Sequence, residues 1–247
     1  MSVLVVPFHL DERMRDRVLP VTGHRIAPEL VGGGPWERLS VLEERLAREV
    51  ADTVRPTVIS GDCTTSLGVL AGLQRMGLDP AVVWFDGHGD FNTEQTTESG
   101  YLGGMPLALA VGRGDATIRE HIALRPVPED RAVLVDARDL DPAERTALEQ
   151  SNVRRTLVEA VDQEDLPDGH LYVHVDLDVL DPGELTGLRF PAPGGPTVDD
   201  LADALEAVHD TGRIVAVGIA CTWRPDAYDP EQAQRVLTVV RDVLPAH

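Results

Sequence analysis

Six short runs rich in Val, Ile and Leu, at residues 2–6, 56–60, 81–85, 132–135, 171–175 and 214–219, constrain this chain more than any other feature. Each is apolar almost throughout, and a strand of that kind needs burial on both faces, as in a parallel sheet. Between the runs lie segments of helical periodicity. Trp36, Leu39, Leu42, Leu46 and Val50 recur at three- and four-residue spacing, and a second helix is expected over 66–76. Thr197, with Asp200 three residues on, caps a helix carrying Leu201, Leu205 and Val208. Asp229-Pro230 opens a last helix with Val236, Leu237, Val240 and Leu244, its proline in the first turn where no N–H is needed. This alternation predicts a three-layer α/β/α fold around a mainly parallel sheet, with residues 1–247 forming one domain.

Aromatic residues are only 4% of the chain, so Val, Leu and Ala must build the core. Acidic residues outnumber basic ones 42 to 22, and a net charge of −20 repels nucleic acid and anionic membrane alike. No run approaches the roughly 18 apolar residues of a membrane span. The N-terminus becomes charged too early for a signal peptide. Two cysteines far apart in sequence, Cys63 and Cys221, do not make a secreted disulfide scaffold. The expectation is a cytoplasmic protein with a small-molecule substrate and neither a nucleic-acid nor a membrane partner. The Gly- and Pro-rich stretch 183–196 reads as a long surface loop near a site, since ligands of open α/β sheets bind beyond the carboxyl ends of the strands.

Two of the expected strands end in acid. Residues 81–85 run into Asp86-Gly-His88-Gly-Asp90, and residues 171–175 run into Asp176-Leu-Asp178. If the chain stays extended, a spacing of two puts these side chains on one face. Four carboxylates gathered at one sheet edge repel one another unless protonated or bound to cations, and two divalent ions would neutralise them. Mostly oxygen donors with a single imidazole favour Mn²⁺ over zinc. A solvated acidic loop is the alternative for either motif alone; the pair favours a metal site.

WFDGHGDFNT at 84–93, SGYLGGMP at 99–106 and HVDLDVLDP at 174–182 resemble the metal motifs of the arginase (ureohydrolase) family. The resemblance covers roughly residues 57–182, and it is nearest to that family's N-omega-hydroxy-L-arginine amidinohydrolase branch. It implies a mainly parallel sheet of about eight strands. It further implies two Mn²⁺ ions that activate a shared water for attack on a linear amidine, and a trimer or hexamer. Carried over position by position, Asp86 and Asp176 would bridge the ions. Cys63 and Asp90 would complete one metal's shell, and His88 and Asp178 the other's. Asp90 and Asp86 would be the catalytic acids, with Asp90 or a nearby group passing the proton to the leaving amine. Asn92, Thr97 and Ser99 would hold an α-carboxylate, and Asp141 and Glu144 an α-amino group. Asp141 before a proline is equally a helix start.

Three positions depart from the family pattern. Cys63 replaces the first histidine ligand. As a thiolate it adds charge and favours softer metals; as a thiol it binds weakly; it also reads as a small core residue. The first metal site is therefore expected to be the weaker. Gly103 stands where the family has its proton-shuttling histidine. Cys221 falls near the glutamate that pairs with the guanidinium, so an uncharged group is expected to meet the substrate there. Cys63 and Cys221 facing one another would form a disulfide or a softer metal site. The resulting expectation is a metal-dependent hydrolase of a guanidino or hydroxyguanidino amino acid. The alternative is a catalytically impaired family member with a ligand-binding or regulatory role.

Overall fold

A computed structural model describes residues 2–15, 18–224, 226–227 and 229–244. In chain order the strands are β1 (Val3–Val6), β2 (Phe8–His9), β3 (Glu12–Arg13), β4 (His24–Arg25), β5 (Thr57–Ser60), β6 (Ala81–Asp86), β7 (Ala132–Asp136), β8 (Arg154–Thr156), β9 (Leu171–Asp176) and β10 (Ile214–Ala220). The helices are α1 (Pro35–Ala51), α2 (Thr65–Arg75), α3 (Pro106–Ala110), α4 (Thr117–His121), α5 (Pro142–Glu149), α6 (Val198–His209) and α7 (Pro230–Val243). β2 and β3 pair as a small antiparallel hairpin. The other eight strands form one sheet in the order β4-β1-β5-β10-β9-β6-β7-β8, with every neighbouring pair parallel.

The six apolar runs are the six inner and near-inner strands, each within a residue of its expected bounds. β4 and β8 close the two edges. They are short, polar and largely exposed, so they carry no apolar signal. The sheet is covered on both faces. Leu39, Leu42 and Leu46 of α1 and Leu67, Leu70 and Leu73 of α2 pack on one side against Leu4, Val58, Val82, Trp84 and Tyr172. Leu201 and Leu205 of α6 and Val236, Leu237 and Val240 of α7 cover the other, against Val5, Ile59, Val83, Phe85 and Val175. Thr197 and Asp200 make the reciprocal capping bonds of α6, and Asp229 caps α7.

The pleat has a consequence for chemistry. Along β6 and β9, Val82, Trp84 and Tyr172 face the α1/α2 layer, while Val83, Phe85, Val173 and Val175 face the α6/α7 layer. Asp86 and Asp176 share the first parity, so both emerge at the carboxyl edge on the α1/α2 side.

Candidate metal centre

Asp86 and Asp176 end their strands in the same way. The Oδ1 of Asp86 accepts the His88 N–H at 2.7 Å, and the Oδ1 of Asp176 accepts the Asp178 N–H at 2.9 Å. Both chains therefore turn at once, and residues 177–179 form a 3₁₀ turn. The expectation that these segments remain extended is corrected here. An aspartate at a strand end offers its own carboxylate to the backbone two residues on, and that bond closes a tight turn. The turn folds the second acid of each motif back towards the first.

One ligand atom from each of Cys63, Asp86 and Asp90 lies within 4.8 Å of the others, and the same holds for Asp86, His88 and Asp178. Asp86 belongs to both groups. Asp176 joins through Cys63, whose Sγ is 2.9 Å from its Oδ2. Five of these six residues are buried and His88 is half-buried. Asp90 holds its backbone in the left-handed region, at φ 48°, which few residues other than glycine adopt. Its Oδ2 is buried without a hydrogen-bond partner.

The electrostatics match a cation site. Burial, then the charges of Asp86 and Asp176, raise the Asp90 carboxyl well above its ordinary value. Burial and the neighbouring Asp178 and Asp86 do the same to Asp176. Asp178 is pushed up to about 7, by burial first and Asp86 second. Burial opposes protonation of His88, but its bonds to Asp178 and Asp86 prevail and carry it up to about 12. The Cys63 thiol is raised by burial and by Asp176, Asp90 and Asp86. Without a cation the cluster must therefore hold protons. Its six donors, with one orphaned carboxylate oxygen among them, fit divalent ions that would displace those protons.

The cluster floors a cavity of about 330 Å³. Asn92, Thr97, Ser99, Asp141 and Glu144 all line it, as do Asp62, Tyr101, Gly103, Asp139, Phe190 and Thr222, which the sequence reading did not single out as contacts. Asn92 donates its amide to Asp141 at 3.0 Å and accepts the Thr96 hydroxyl at 3.0 Å, so its side chain is committed to the wall. Asp141 occupies the N-cap position of α5 without capping it through its side chain. Glu144 accepts the Phe91 N–H at 2.8 Å, and burial pushes its carboxyl up to about 7.

Cys221 requires a correction. It is not among the lining residues; it is fully buried in the α6/α7-side core, while its neighbour Thr222 reaches the cavity. The reason is the pleat. β10 pairs Ala220 with Asp176, so position 221 points to the opposite face, and a one-residue slip exchanges core for site. Counting that parity from the Asp176 strand would have found Thr222. Cys63 and Cys221 are both free thiols and lie in the cores on opposite faces of the sheet, so they do not meet as a disulfide.

Gly103 leaves a space that Tyr101 fills. A Cβ built at position 103 would lie 2.4–2.5 Å from the Tyr101 ring and hydroxyl. The phenol is held by His9 Nε2 at 3.3 Å and packs on Phe190 with ring centroids 4.8 Å apart. Gly103→His is therefore expected to cost about 1–3 kcal/mol of stability by overpacking. Gly103→His combined with Tyr101→Ala should recover most of it, a coupling readable from thermal unfolding of the four proteins in the cycle.

A parallel sheet covered by helices on both faces, with an acid-rich centre at its carboxyl edge, defines a three-layer α/β/α protein of the arginase-like fold. The arginase-family model matches residues 21–242, and the chain belongs to the arginase family of ureohydrolase-type enzymes. It is 32% identical over 213 residues to the N(omega)-hydroxy-L-arginine amidinohydrolase of Streptomyces lavendulae, covering 84% of this chain and 74% of that one. To the arginase of Bacillus subtilis it is 30% identical over 191 residues, covering 70% and 64% of the two chains, so the match spans less than two thirds of that relative. In structure it is similar to the arginase of Bacillus caldovelox, with TM-score 0.83, 24% identity and coverage of 98% and 97%.

Proposed function

We propose that this chain hydrolyses the C–N bond of a linear amidine, a guanidino or hydroxyguanidino amino acid, at a two-metal centre. The observation that carries the reading is Asp86, shared by two ligand groups whose atoms all lie within 4.8 Å. Mn²⁺ is the proposed ion, because the donors are oxygens but for one imidazole and one sulfur. Bound divalent ions would supply Lewis acidity and lower the pKa of the attacking water. In this reading Asp86 and Asp176 would serve both ions, His88 and Asp178 would help hold one, and Cys63 and Asp90 would help hold the other. The carboxylate of Asp90, or a group near it, would take the attacking water's proton and pass it to the leaving amine. Thr97 and Ser99 receive the substrate carboxylate at the rim, with Asn92 fixing the wall behind them, while Asp141 and Glu144 receive its amino group.

The head group is proposed to be the weaker base. Thr222, not a carboxylate, lines the cavity where the substrate's amidine would meet β10, so a full guanidinium charge gains no partner from that strand. A hydroxyguanidine, less basic than a guanidine, loses less there. The reading extends to a cytoplasmic oligomer acting on a small molecule. No described helix is long and apolar enough to cross a membrane.

The test is metal analysis followed by turnover. Two equivalents of Mn²⁺, with faster hydrolysis of N-omega-hydroxy-L-arginine than of L-arginine, are expected. A protein that binds no metal and shows no Mn²⁺-dependent thermal shift refutes the reading. Two bound ions with no turnover of any amidine would point instead to an impaired, ligand-binding member, for which the replacements at Cys63, Gly103 and Thr222 argue.

A further inference from the structure

Behind the centre, outside every group assigned a role above, lies Arg138. It follows Asp136 and Ala137, both in left-handed backbone at φ 80° and 52°, a conformation side-chain-bearing residues seldom adopt in succession. The turn is fastened to the end of β6, with the Ala137 N–H donating to the Asp86 carbonyl at 2.9 Å and the Asp139 N–H to the Gly87 carbonyl at 3.0 Å. It sends the guanidinium back beneath the site. Nε donates to the Pro193 carbonyl at 3.2 Å, and Nη1 to the Val179 carbonyl at 3.0 Å and to the Asp136 carboxylate. Nη2 donates to the Asp178 carbonyl at 3.2 Å and the Ala192 carbonyl at 2.5 Å. All five guanidinium N–H groups are thereby used. Two glycines admit this arrangement. A Cβ at Gly195 would lie 2.4 Å from the Val179 carbonyl that Arg138 holds and 2.5 Å from Nη2, and one at Gly87 would lie 2.7 Å from the Asp178 carbonyl.

We infer that Arg138 is a positioning residue for one half of the centre: it clamps the Asp178 turn and the 192–195 loop to the end of β6, and so sets His88, Asp178 and Phe190 together. Irregular backbone has no ladder of its own, and its buried carbonyls need donors from elsewhere. A planar fork reaching two separate segments fixes their spacing, which an ammonium cannot do. The contacts described for Arg138 include none to Cys63 or Asp90, so the clamp bears directly on the His88 and Asp178 group and reaches the other only through the shared Asp86. The inference rests on the two-metal reading for its functional meaning and on the hydrogen bonds alone for its mechanical part.

Two variants test it. Arg138→Lys keeps the charge and loses the fork; Gly195→Ala keeps the arginine and crowds it. In metal-free protein, amide hydrogen exchange in both should rise at least tenfold over 177–195 and 86–88, with residues 62–64 unchanged. In Mn²⁺ titrations the two equivalents should weaken unequally, one at least tenfold and the other, reached only through Asp86, several-fold less. KM for the amidine should rise more than kcat falls, because Phe190 at the cavity mouth is displaced. Parent-like exchange over 177–195 in both variants, or an equal weakening of both ions with a uniform rise in exchange, overturns the inference. If the parent itself binds no Mn²⁺, the two-metal reading falls, while the exchange data still decide whether Arg138 clamps.

Discussion

Asp86→Asn is expected to cripple hydrolysis and to leave the protein unable to retain either Mn²⁺ ion through gel filtration. Asp86 alone belongs to both ligand groups. Its two oxygens are already committed to the backbone and core: Oδ1 accepts the His88 N–H at 2.7 Å, and Oδ2 accepts the Trp84 indole N–H at 3.0 Å. An amide has one acceptor oxygen for these two donors, so one N–H would face an NH₂ group in a buried site. The substitution thus removes a shared anionic donor and disturbs the turn that presents His88. The loss in kcat/KM should be about a thousandfold, equivalent to about 4 kcal/mol of transition-state stabilisation. Asp178→Asn gives the contrast, since that residue belongs to one group only and one ion should remain. An Asp86→Asn protein that holds two ions and turns over at the parent rate would sink the assignment of the centre.

Which parts of this molecule were legible beforehand follows from where the physical signal resides. The inner strands were readable because burial on both faces demands continuous apolar runs. β4 and β8, exposed at the edges, face no such demand, and His24-Arg25 or Arg154–Thr156 look like loop. The acids at 86, 90, 176 and 178 were readable because strand ends and acid repeats coincide in sequence. The turns that bring them together were not, because an aspartate's bond to its own backbone leaves no periodic trace. Cys221 against Thr222 is a question of parity, and a local alignment uncertain by one residue cannot answer it. Tyr101 was quoted only as part of a motif; that its ring occupies the space above Gly103 depends on His9 and Phe190, which come from distant parts of the chain. Arg138 was invisible for a different reason. Most of its acceptors are backbone carbonyls, which every residue possesses, so nothing in the letters at 178, 179, 192 and 193 announces them.

Metal-free protein is expected to lose stability as pH rises from about 5 to 8, and Mn²⁺-loaded protein to gain it. The sign follows from the direction of the shifts. Asp90 and Asp176 are raised by burial and by neighbouring carboxylates, and Asp178 to about 7. A carboxyl raised on folding holds a proton that the unfolded chain releases near pH 4. Its contribution is complete below that value and is shed as pH climbs through the folded pKa. His88, raised to about 12, acts in the same sense above its ordinary value near 6.5. Burial pulls Asp86 upwards but its bonds to His88 prevail and lower it, so its window lies below pH 4; His174, held down to about 3 by burial, opposes the acids only up to about pH 6.5 and is outnumbered by them. The combined loss should be a few kcal/mol by that linkage. Ions reverse the slope because they require these groups without their protons: binding displaces protons from the acids, from His88 and from Cys63, so affinity climbs with pH. Calorimetric unfolding in EDTA and in excess Mn²⁺ across pH 5–8 reads both slopes. A metal-free melting temperature that rises over this range would show that the cluster is not the crowded, proton-holding site described. Asp178→Asn supplies the internal control: an amide cannot titrate, so the metal-free slope should flatten near pH 7 while the loaded slope loses the gain from one ion.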